Sequence, residues 1–228
     1  MHHQPGGRTK PPSNSVNART LCVTIFDIPL RMTDKKSLFQ NNDLRNGGFY
    51  ELCIQVCPSV ETNPIKLYTN YFWKLDNIEG PFDKEFNKIQ IPNDYYELQG
   101  LLTLDNFIIP FKNFNIREQE PIETGSNWFD VSFYTTTLDD IFGLTNHHWN
   151  EGDSCPVILQ NFLIDTMRKL YSIHSFQLAF IDFEISGQYY LNDLKGELNN
   201  WTNTKFFVGR ENYNDIKSDY KSLVTIVD

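Results

Sequence analysis

Apolar and polar positions follow two different periods along this chain. Between residues 156 and 173, Leu159, Phe162, Leu163, Thr166, Met167 and Leu170 fall at i, i+3, i+4, i+7, i+8 and i+11. That is one stripe of a 3.6-residue period, with Asp165, Arg168 and Lys169 off it, and it predicts an amphipathic helix. Asp153 and Ser154 are N-cap types, and Pro156 suits a first turn, where its missing N–H has no helical partner to lose. The next stretch, 176–185, predicts a strand, with Phe176, Leu178 and Phe180 on one face and Ala179, Ile181, Phe183 and Ile185 on the other. A strand apolar on both faces belongs in the middle of a sheet, covered above and below. Phe162, Leu163, Met167, Leu170, Phe180, Ile181 and Phe183 are therefore the expected heart of the core.

The rest of the chain arranges itself around this unit. Strands are predicted at 21–28, at 49–58 with Leu52, Ile54 and Val56 on one face, and at 65–75. Residues 31–48 read as a short helix or loop before a turn. Residues 76–95 read as a connector with a short strand at 88–91. A hairpin over 96–116 turns at Asp105-Asn106, and an acidic loop (117–127) leads to a strand at 128–138. Beyond 186 come a short helix over Leu191, Leu194 and Leu198 and two further strands, 204–208 and 222–227. The fold class is α+β: a mixed, mostly antiparallel sheet with one main amphipathic helix (156–173) feeding a central strand (176–185). Residues 1–20, rich in Pro, Gly, Ser and Asn, read as a disordered tail, and 21–228 as a single domain with a weak boundary near 140–150.

Composition narrows the function. The chain has 228 residues, 18 Phe and 11 Tyr among them, which is ample apolar material for a real core. No apolar run approaches the roughly 20 residues of a membrane span, and the N-terminus lacks the apolar region of a secretory signal. A cytoplasmic protein is expected. The net charge of −9 disfavours a nucleic-acid partner, whose phosphates call for a basic surface, and suits a basic protein partner. On an extended strand Cys53 and Cys57 would share a face about 13 Å apart, too far for a disulfide, so reduced thiols are expected.

Two constellations carry chemistry-bearing side chains. In the first, His147, His148, Glu151, Asp153 and Cys155 lie within nine residues of one another, all of them metal-binding types, but in no recognised ligand spacing. Cys155 stands beside a helix N-terminus, where a thiolate is stabilised, and His147 or His148 could serve it as a base. The plainer reading is a polar loop, a helix cap and a buried, inert thiol. In the second, Asp182 and Glu184 follow the apolar residues on one strand face. With Asp130 they could form an acid–base or three-carboxylate metal site. The plainer reading is a strand leaving the core and meeting water.

In general profile the chain is similar to bacterial toxin-neutralising immunity proteins, being small, acidic, rich in aromatics, α+β and without a catalytic signature. The likeness is one of type and carries no residue over. The function expected is a non-enzymatic protein-binding module of the inhibitor or immunity kind, neutralising a basic toxin or nuclease, with no cofactor and no metal. The alternative is a hydrolase or metal-dependent enzyme using Cys155, His147 and His148, or Asp182, Glu184 and Asp130.

Overall fold

A computed structural model describes residues 34–93, 96–118, 125–151, 155–185, 187–198 and 204–228. The tail 1–20 and the strand expected at 21–28 lie outside the described residues, as do Asp153 and Ser154. The described elements begin with helix α1 (Lys35–Gln40), capped by the Asp34 carboxylate, and strand β1 (Phe49–Pro58). Helix α2 (Asn63–Phe72), β2 (Ile78–Phe82), β3 (Tyr96–Leu104), β4 (Phe107–Arg117) and β5 (Ser126–Tyr134) follow. Then come helices α3 (Thr135–Phe142) and α4 (Val157–Ile173), β6 (Leu178–Phe183) and α5 (Leu191–Lys195). The chain ends with β7 (Lys205–Gly209), α6 (Arg210–Tyr213) and β8 (Val224–Val227).

These strands form one sheet in the order β2-β3-β4-β5-β1-β6-β7-β8. Every pairing is antiparallel except β7 with β8, so the sheet is mixed and mostly antiparallel, and the fold is α+β. Strand β1 is central, flanked by β5 and β6, and is buried along almost its whole length. Its alternation works as the sequence suggests. Tyr50, Leu52, Ile54 and Val56 join one core beneath α2, α3 and α4, where Leu159, Leu163, Met167 and Leu170 of α4 are buried. Cys53 joins the other core with Trp128, Leu178, Phe180, Phe206 and Val208, covered by Ile185, Tyr189, Leu191, Leu194, Ile216 and Tyr220. One face of the sheet thus lies under a helical layer, and the segments that follow β6 and β7 cover the other face over β1, β6 and β7.

Several expectations need correction. Residues 65–75 are not a strand but the greater part of α2. Pro64 sits at its first turn, and Ile65, Tyr68, Thr69 and Phe72 form an i, i+3, i+4, i+7 stripe that is buried. The β-formers Ile, Tyr and Phe masked that period, because tertiary burial overrides propensity. The strand β2 starts ten residues earlier than the one expected at 88–91, which contributes only the isolated bridge Phe82↔Lys88. The 128–138 strand ends at Tyr134 and becomes α3.

Helix α4 begins at Val157 with Pro156 as its N-cap residue and no side-chain cap. Phe162 and Phe183 are half-buried at the rim of the core rather than inside it. Phase is also lost at both ends of β6. Phe176 precedes the strand and packs in the helical-side core, while Ile185 packs with Leu178 and Phe180. The second slip has a visible cause: Glu184 adopts φ 51°, a left-handed conformation that breaks the alternation before Ile185. A register shift between Gln55 and Cys57 likewise sends Cys57 to the helical side, opposite Cys53, so the two thiols do not share a face.

Candidate functional site

The Cys155 constellation is built at the join of loop and α4. Cys155 is 2% exposed and lies in the same core as Tyr50 of β1. Burial pushes the thiol up to about 12, against smaller opposing effects of Tyr50 and Lys205, so at neutral pH the group is a protonated thiol. The tyrosine is also driven upward, first by its own burial and then by Cys155. His147 lies against the Trp149 ring (centroids 4.3 Å apart), and Trp149 in turn packs on Tyr50 and donates its indole N–H to Asp139 Oδ1 at 3.0 Å. His148 is exposed on the same loop. Of the loop residues, His147 and Trp149 are thus packed, whereas Glu151, like His148, is exposed. Asp153 lies outside the described residues.

The acids of the second constellation are not drawn together as the sequence suggested. Asp182 and Asp130 do share a sheet face, but Asp130 is opposite Cys53 while Asp182 is opposite Glu51. They are two strand spacings apart and two residues out of step, which separates them by about 10 Å across the sheet and about 7 Å along it. Asp182 accepts the Thr204 hydroxyl at 2.8 Å and the Phe183 N–H at 2.8 Å. Glu184 has left the strand. Its carboxylate takes the Phe49 N–H at 2.6 Å while its own N–H donates to the Phe49 carbonyl at 2.8 Å, so it extends the β1–β6 ladder by one rung. Gly48 makes this approach feasible, because a Cβ there would overlap the Glu184 carboxylate and the Phe183 ring.

The carboxylate between Asp130 and Asp182 is Glu51, at 3% exposure, which accepts Ser132 Oγ at 3.1 Å and the Ile185 N–H at 2.9 Å. Nothing in the sequence reveals this neighbour, because it depends on strand register. Among the described residues no group of three or more His, Cys, Asp and Glu side chains is placed to hold a metal ion.

On that same sheet face lies a cluster the sequence reading missed. Lys112 projects from β4 between Phe49 of β1, Phe114 of β4 and Tyr134 at the end of β5. Its ammonium stands 5.8, 5.7 and 5.4 Å from the three ring centroids. The Phe49 and Tyr134 rings are 4.6 Å apart, and Phe49 meets Phe114 edge-on at 6.4 Å. Glu97 of the neighbouring β3 closes the cage with a 2.6 Å ion pair. Burial works against the Lys112 charge, but hydrogen bonds to Glu97 and Tyr134 outweigh it, and the ammonium pKa is raised above its ordinary value. Three ring faces and a carboxylate around one cation make a site for an alkylammonium group. Glu184 braces the backbone of Phe49 and so belongs to its support.

Beside the cage, Phe39, Arg45, Gln99, Pro110, Phe111, Lys112 and Tyr134 line a cavity of about 10 Å³, room for one water rather than a small-molecule substrate. Ile116, 41% exposed, continues the apolar surface along β4. No protein-family model matches this sequence, and no curated protein or solved structure matches it.

Proposed function

We propose that the protein is a non-enzymatic binding module that holds a basic protein partner, in the manner of an inhibitor or immunity protein. The observation that supports this reading is the Lys112 cage, a partly exposed face of the sheet whose rings and carboxylate suit an ammonium group. The net charge of −9 favours encounter with a basic partner, since complementary fields raise association rates. An acidic balance also places nucleic acid low among partner classes. Cys53, Cys57 and Cys155 are all buried. Among the described residues no helix is long and apolar enough to cross a membrane.

The test is titration of the purified protein against a panel of basic nucleases and toxin domains, with association followed at several salt concentrations. A one-to-one complex whose association slows as salt rises is the expected result. A panel that yields only binding independent of salt, or none, overturns the reading.

A further inference from the structure

Resting on that reading, we propose that the cage formed by Phe49, Phe114, Tyr134 and Glu97 is the point at which a lysine side chain of the partner enters, and that Lys112 is its internal occupant, displaced when the partner binds.

The cage is assembled from four strands, β1, β3, β4 and β5, all on one face, so the register of the sheet fixes the backbone positions from which its side chains project. Its rings are half-buried rather than sealed; the Glu97 side chain is 45% exposed and forms the open rim, while Lys112, 17% exposed, fills the space inside it. Lys112 hangs on a flexible four-carbon stem that can withdraw into water without moving the backbone. The exchange replaces one ammonium with another of the same chemistry. Rings and carboxylate keep a cation throughout, and the displaced Lys112 regains its hydration. The displacement therefore costs little, yet it selects for a lysine-bearing partner. An internal occupant lowers the apparent affinity by the fraction of time that the site is free. A cage filled roughly nine-tenths of the time by Lys112 weakens the partner about ten-fold, and removing the occupant restores that factor.

A decalysine peptide serves as the probe, titrated calorimetrically at low salt against wild type, Lys112→Ala and Lys66→Ala. Lys66 is exposed on α2, on the opposite side of the sheet, so Lys66→Ala removes the same charge away from the cage. If Lys112→Ala does not fold, Lys112→Gln, which keeps much of the stem, takes its place. The expected result is a gain of about ten-fold for the Lys112 variant over the Lys66 variant, abolished by adding Phe114→Ala. Equal affinities of the two lysine variants, each still binding the peptide, overturn the cage as the entry point and leave the acidic binder intact. Failure of the peptide to bind any of the proteins at low salt overturns the binder reading and the cage with it.

Discussion

The Tyr190 hydroxyl donates to Glu118 Oε1 at 2.7 Å, joining residues 72 positions apart in the chain. The same oxygen takes the Trp128 indole N–H at 3.2 Å, and the other carboxylate oxygen takes the Ser126 N–H at 2.6 Å. One carboxylate at the end of β4 thus ties the start of β5 to the segment that covers the second core. The hydrogen bond to Glu118, ahead of burial, raises the Tyr190 phenol to about 12.

Tyr190→Phe should cost about 1.5–3 kcal/mol, the net worth of a hydrogen bond to a charged group. In a Glu118→Gln background the same substitution should cost much less, since the two residues share one interaction. Urea denaturation of the four proteins measures the coupling. Strictly additive costs would mean that Glu118 and Tyr190 do not act on each other.

Phe180 is fully buried in the second core, ringed by Trp128, Tyr189 and Phe206 with centroid separations of 6.0, 5.7 and 6.2 Å. Phe180→Ala should cost about 3–5 kcal/mol through lost burial and the cavity left behind. Phe183→Ala, at the rim, should cost distinctly less. Chemical denaturation ranks the two, and the reverse order would contradict the placement of the cores.

Cys155 should resist alkylation by iodoacetamide at pH 7.5, because burial holds it as a thiol. The same shift makes stability depend on pH. In the unfolded chain the thiol ionises near ~8.5, while in the folded protein it stays protonated to about 12. Its contribution is therefore complete below ~8.5 and is lost as pH rises toward 12. Cys155→Ala should flatten the alkaline decline in stability relative to wild type. Rapid, selective labelling of Cys155 at neutral pH would instead favour a nucleophile.

Asp182 and Glu184 each accept hydrogen bonds from the fold, so Asp182→Asn with Glu184→Gln should destabilise the protein by about 1–2 kcal/mol. A catalytic pair held close in a strained site would behave the opposite way, since relieving repulsion stabilises. A gain in unfolding free energy on making the double variant would reopen the enzymatic alternative.

Where alternation runs uninterrupted, the elements were legible from the residues alone. β1 as far as Val56, the hairpin of β3 and β4, and α4 all show their periods plainly, because each buries a regular face. The pattern failed where something other than burial period decided the structure. Helix α2 carries strand-forming residues at helical spacing, and only the Thr62-Asn63-Pro64 run hints at the helix start. The left-handed Glu184 and the irregularity before Cys57 shift side chains to the opposite face, and a count by twos cannot register either. The site was the least legible part. Phe49, Glu97, Phe114 and Tyr134 meet around Lys112 only because of the register of four strands, and Glu51 comes beside Asp182 for the same reason.

Strand β1 precedes both of its sheet neighbours in the chain, and this order bears on synthesis. Its Gln55 is bonded by the Leu191 N–H, 136 residues later, and its Glu51 by Ser132, 81 residues later. Until residues 126–134 and 178–183 have been made, β1 has neither of the strands that flank it in the finished sheet. Closing loops of that length before any contact rewards them makes for slow folding, and a waiting hydrophobic strand is prone to stick to other chains. The newborn protein should therefore depend on chaperones until β6 emerges, and its yield in a cell-free translation lacking them should fall sharply as temperature rises.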